Sequence, residues 1–211
     1  MTKPFIDNEK YRTTGETKNH FGITLHRIKA KIAIGVIAAG TIGGWVEKES
    51  NISVYGDAWV YGNARVYGDA QVSGNAWVYG DAQVSGDAQV YGNARVSGNA
   101  WVSGDAQVYG DAQVYGNARV YGDAWVSGAY RHIIISPIGS EGGCLTAFVE
   151  KDGTIRLSRG CFNGTIDEFS AAVEETHGAS KNGDEYRLAV ELIKSRLDTT
   201  VIEDEALEDA Q

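Results

Sequence analysis

Cysteine and proline are almost missing from these 211 residues, with two of each. Two thiols, Cys144 and Cys161, make neither a disulfide framework nor a metal-binding spacing, so reduced thiols are expected. Two prolines beside 27 glycines exclude a collagen-like or Pro/Gly-rich disordered chain and leave periodic glycine as the explanation. The most apolar run, Ile32 to Val46, is interrupted by glycine and falls short of the about 20 residues a membrane helix needs. It also begins too far in for a secretory leader, so a soluble, cytoplasmic protein with no membrane contact is expected. Basic charge is scarce: 19 Lys and Arg stand against 28 Asp and Glu, a net charge of −9 that makes a nucleic-acid partner an unfavoured expectation. Residues 1–53 carry 8 basic and 5 acidic groups, 54–125 carry 3 Arg and 7 Asp, and 126–211 carry 8 basic and 16 acidic.

Residues 54–125 lack His, Lys, Glu, Cys, Pro and Thr altogether. They contain instead twelve hexads in which Val returns every sixth position from Val54, followed by Tyr or Ser, Gly, Asp or Asn, Ala, and one of Trp, Arg or Gln. Strand alternation explains the pattern: in Ala58-Trp59-Val60-Tyr61, Ala and Val face one way and the aromatics the other. Gly followed by Asn or Asp turns the chain at least steric cost. One hexad makes one side of a prism, three sides close an 18-residue coil, and stacked coils pair as parallel strands about 4.8 Å apart. Val and Ala fill a narrow interior that larger residues would overpack.

Val54 to Val126 resemble the bacterial transferase hexapeptide family, whose fold is a left-handed parallel β-helix. The register extends backwards through Val36, Ile42 and Lys48–Ser53, which predicts about five coils in a mainly β protein. Open coil ends need covering. Asn19–Ile28 reads as an N-terminal capping hairpin. After the repeat, strands are expected at His132–Ser136, Leu145–Glu150 and Thr154–Ser158, with Asp152-Gly153 as a hairpin turn. Thr165-Ile-Asp-Glu168 is a capping box that opens a helix running to His177 and stopped by Gly178, and a second helix is expected from about Asp184. The organisation expected is a cap over 1–35, a β-helix over 36–128, a small α+β domain over 129–198 and an acidic tail over 199–211. The ends, Gly43–Ser53 and Arg159–Phe169, also resemble those of short hexapeptide proteins of phages and prophages.

Period 18 sorts the outward residues into columns. Trp59, Tyr61, Trp77 and Tyr79 fall together as one exposed aromatic patch, read either as stacking between coils or as a contact surface. The family resemblance implies side-by-side self-association, as a trimer or dimer, with this patch as the first candidate. Gln71, Gln89 and Gln107 are expected to form an amide ladder. Asp69, Asp87, Asp105 and Asp123 make one corner wholly acidic where the other two mix Asn and Asp. Neighbouring carboxylates repel by about 0.9 kcal/mol in water before screening. A basic partner or a weakly held cation would explain them, as would drift between two acceptable turn residues; no metal site is predicted.

The hexapeptide resemblance implies acyl transfer, with a general-base His and a loop interrupting the coils, or a zinc site of three His. The repeat has neither insertion nor histidine, and His20, His26, His132 and His177 make no recognisable spacing. Cys161 with His177 would form a dyad on paper, but a buried structural cysteine is the expectation. The reading is therefore a protein with no catalytic residue and no cofactor. It is expected to bind a protein partner, such as a host factor or defence system if phage-encoded. The alternative is a transferase-like protein holding a small molecule or acyl group between subunits.

Overall fold

The computed structural model describes residues 6–128 and 130–201. Every repeat Ala and Val from Ala58 to Val126 is fully buried, so the hexad alternation forms a parallel β-solenoid of about five coils around a Val/Ala core. Neighbouring coils are tied by their main chains. Trp77 N donates to Ala94 O at 2.9 Å, Tyr79 N to Val96 O at 2.9 Å, and Asp81 N to Gly98 O at 2.8 Å. Glycine is required at the corners because the coils nearly touch there: Gly98 has φ +69°, and a Cβ on it would lie 2.9 Å from Gly116 N.

The first face carries rungs at Trp59–Val60, Trp77–Val78, Arg95–Val96 and Gln113–Val114. The third carries Gln71–Val72, Gln89–Val90, Gln107–Tyr109 and Trp125–Ser127. The second face is a seven-stranded sheet. Its solenoid rungs are Arg65–Val66, Gln83–Val84, Trp101–Val102 and Arg119–Val120; before them come β1 (Tyr11–His20), β2 (Ile23–Ala30) and β3 (Ile42–Val46). The N-terminal hairpin is longer than the sequence suggests and pairs antiparallel with β3, which pairs parallel with the first rung. Ile6, Tyr11, Ile28 and Ile34 join the solenoid core and close its open end.

The backward register is different from the one expected. Val36 is 85% exposed and Ile42 43% exposed, while Ile34, Val46 and Ile52 are the buried positions. Trp45 faces Arg65 and Ile52 faces Val72, so the first coil uses twenty residues where Trp59 to Trp77 takes eighteen. The two extra residues fall between Ile52 and Trp59, and Val54 is left only partly buried because Ile52 occupies its place. Asn51 makes the irregular coil possible. Fully buried, it donates through Nδ2 to Gly68 O (3.1 Å) and Ala70 O (2.8 Å) and accepts from Glu47 N (3.1 Å) and Lys48 N (2.8 Å).

Beyond the solenoid, an antiparallel sheet runs His132–Ile138, Gly143–Val149, Ile155–Arg159 and Phe162–Thr165. Helices α1 (Ile166–His177) and α2 (Lys181–Arg196) pack on it through Phe169, Val173, Tyr186, Ala189 and Ile193. The capping box at Thr165 and Glu168 is formed; Ser180 caps α2, which therefore begins three residues before Asp184. Phe148 enters the solenoid core, and buried Arg131 ties the parts together. Its guanidinium donates to the carbonyls of Trp125 (3.0 Å), Glu150 (2.9 Å) and Thr200 (2.8 Å). The expected acidic tail lies outside the described residues beyond Val201.

Candidate functional site

On the first face, outward side chains stack at the spacing of the coils. Tyr61 lies on Tyr79 with centroids 5.1 Å apart and planes within 7°, and meets Trp77 edge-on at 5.9 Å. These three rings are half-buried and form a rigid cluster, rimmed by exposed Arg95 and half-buried Ser97 one coil on. Burial pushes the Tyr61 hydroxyl up, further raised by Tyr79. Trp59 is not part of the surface: it is 1% exposed, because Tyr11 of the hairpin lies over it. The column assignment is right, but the cap covers its first member.

Aromatic stacking is not confined to that face. Tyr91 stacks on Tyr109 at 5.1 Å on the third face, and Tyr109 meets Trp125 edge-on. The amide ladder runs at the corners, where Asn75 donates to Asn93 (3.2 Å), Asn93 to Asp111 (3.1 Å) and Asn99 to Asn117 (3.2 Å). In the expected Gln column, Gln107 instead accepts from the Tyr91 hydroxyl at 2.9 Å. A column of Asp has no amide to donate. Asp69, Asp87, Asp105 and Asp123 stand exposed at the third corner, with the Lys48 ammonium on Asp69 at its first coil. Among the described residues, no group of three or more His, Cys, Asp or Glu is arranged to hold a metal ion.

Where the second face meets the C-terminal sheet there is a cleft of about 410 Å³, lined by Trp101, Arg119, Tyr121, Ser158, Cys161 and Phe162 among others. Trp101 is 38% exposed and donates through Nε1 to Ser85 Oγ at 3.3 Å. Cys161 is exposed in the tight turn between two strands, which corrects the expectation of a buried thiol: Phe162–Thr165 is itself a strand, and the turn before it points outward. His177 ends α1, with its ring stacked on Tyr186 at 5.4 Å, and no hydrogen bond joins it to Cys161. The paper dyad is not assembled.

The sequence columns did not foresee the full outward row of the second face. Register places Arg27, Trp45, Arg65, Gln83, Trp101 and Arg119 side by side across six adjacent strands. Arg27 and Trp45 come from outside the repeat, on strands whose pairing no hexad signals.

The chain matches the YdcK beta solenoid repeat over residues 58–71, 70–86, 88–104 and 112–128. No curated protein matches it. Among the described residues, no helix is long and apolar enough to cross a membrane.

Proposed function

We propose that this β-solenoid repeat protein is a non-catalytic binding and assembly protein whose rigid faces carry its contacts with protein. The cluster of Tyr61, Trp77 and Tyr79 supports the reading. Three large rings are held in place by one another, so little side-chain entropy remains to be lost on contact. Trp and Tyr dominate interface energetics, and an apolar centre with a polar rim is how such patches are built. The first occupant is a second copy of the chain, giving a dimer or trimer; a host protein is the second, consistent with the phage-like ends and with action in the host cytoplasm against a host factor or defence system. The exposed acidic corner favours a basic surface on that partner.

The test is sedimentation equilibrium on wild type and on Tyr61→Ala with Trp77→Ala, alongside capture of partners from bacterial lysate. The double variant is expected to weaken the contact by more than about 2 kcal/mol. Unchanged mass and unchanged capture would reduce the cluster to stacking between coils.

A second reading, a transferase-like protein binding a small molecule, is favoured by the 410 Å³ cleft between Trp101 and Cys161, which falls within the size range of ligand pockets. A thermal-shift series with acyl-CoA and nucleotides separates the two readings.

A further inference from the structure

At the N-terminal end of the second face, two cations lie over one indole and a third sits in the next rung. Lys18 Nζ lies 4.2 Å from the Trp45 ring centroid, and the Arg27 guanidinium carbon lies 5.3 Å from the same ring. Arg65 is the partner of Trp45 in the next rung, as Arg27 is in the preceding strand. Sheet register therefore fixes Arg27, Trp45 and Arg65, while Lys18, whose strand partner is Leu25, reaches the indole from β1.

Their charge is thinly compensated. Arg27 pairs with Glu16 at 3.1 Å and donates through Nε to Gly43 O at 3.3 Å. Lys18 has no carboxylate within ion-pair distance among the described residues, although Trp45 lies beneath it. Arg65 reaches the Asp81 carbonyl only at 3.5 Å, and its Nε is buried with no acceptor. A buried donor left without an acceptor is costly. An anion oxygen beside the Lys18 ammonium and the terminal nitrogens of Arg65, which make only that long contact among the described residues, would neutralise charge there.

We propose that Lys18, Arg27 and Arg65 form an oxyanion site for the phosphate group of a small ligand, with Trp45 as the platform that holds the cations in place. With Arg27 already matched by Glu16, Lys18 and Arg65 remain as two cations that make no ion pair among the described residues, which suits a phosphate dianion better than a single carboxylate. The site is independent of the aromatic cluster, which belongs to the first face. The state of Lys18 supports the assignment. Partial burial, then Arg65 and Arg27, push it down to about 8, against the opposing pull of Asp81. His20 on the same strand is held below its usual range by burial, with Lys18 and Arg65 adding to the effect and its bond to Gln83 opposing it. A bound phosphate reverses the balance at Lys18: its pKa rises on binding, and affinity falls as pH climbs past about 8 and the free ammonium is lost.

The experiment is an NMR titration of the full chain with inorganic phosphate, ribose 5-phosphate and adenosine 5′-monophosphate, with acetate as the carboxylate arm, following the lysine side-chain signals. Saturable binding of at least one phosphate, an upward move of the Lys18 titration, and an at least tenfold loss in both Lys18→Met and Arg65→Gln are expected. Lys194→Met, an exposed lysine on α2 of the C-terminal part, should bind as wild type does. Phosphate alone binding would assign the site to the free ion, and a tighter ester to a phosphorylated metabolite. Should Arg65→Gln fail to fold, Lys18→Met on the hairpin carries the test. The proposal is overturned by no saturation at 10 mM of any phosphate (roughly the weakest affinity of note, about 3 kcal/mol), by acetate binding equally well, or by undiminished binding to Lys18→Met.

Discussion

Tyr11 lies over Trp59 with ring centroids 6.1 Å apart and planes within 26°, and its hydroxyl donates to the carbonyl of Ala58 at 2.7 Å. This one contact turns an outward position of the repeat into core and locks the hairpin onto the first face. Trp59→Ala should therefore cost about 3–5 kcal/mol of stability. Tyr11→Phe, which keeps the ring and loses the bond, should cost about 1 kcal/mol. Urea melts decide it; a Trp59→Ala loss below about 1 kcal/mol would place this ring on the surface after all.

The alternation itself is tested at mid-solenoid. Val90 is fully buried and Gln89 beside it is exposed. Val90→Asp should cost several kcal/mol, because a carboxylate there has no partner. Gln89→Ala should remain within about 0.5 kcal/mol. Comparable losses in denaturant melts would contradict the inside and outside assignment.

The acidic corner should be a local weakness. Asp87→Asn with Asp105→Asn removes like-charge repulsion between neighbouring coils and restores amides of the kind that bridge Asn75 to Asn93. A gain of about 0.5–1.5 kcal/mol is expected at low salt. It should shrink as salt screens the wild-type repulsion. Thermal melts at low and high salt measure both; a destabilised variant would mean that the carboxylates already have a stabilising role.

Acid should loosen the fold before carboxylates begin to titrate. Burial holds His132 below the ordinary imidazole range, while its Nε2 donates to Gln113 O at 2.8 Å. In the unfolded chain it titrates near about 6.5. Below that pH the unfolded state binds the extra proton, so stability is full above about 6.5 and declines as pH falls towards the lowered folded value. Melting temperature should hold between about pH 7 and 8 and drop towards about pH 5. His132→Gln should flatten the decline, and a profile unchanged by that substitution would clear the imidazole.

The solenoid was legible because the same six positions recur: a Val that must be small and apolar, a Gly at positive φ, an Ala two residues after it. The glycine-broken run Ile32–Val46 before it was not. There the chain departs from period six to fit Asn51 and the hairpin, and Val36 and Ile42 keep the spacing while losing the environment. The columns likewise placed Tyr61, Trp77 and Tyr79 correctly but gave no sign that Tyr11 would cover Trp59. Local pattern reports which way a residue points; what arrives from forty-eight positions away is a matter of tertiary pairing.

The corner glycines and the unbroken hexads have an angular consequence. Each hexad advances the chain by a third of a revolution, so the number of hexads sets the azimuth at which the C-terminal sheet leaves the stack as well as its height. Inserting eighteen residues would raise that sheet by about 4.8 Å and keep its bearing. Inserting six would swing it to a neighbouring face and carry the Trp101–Cys161 cleft out of line with Lys18 and Arg65. The hexad count thus works as a phase setting, holding two distant chemistries on one side of the molecule.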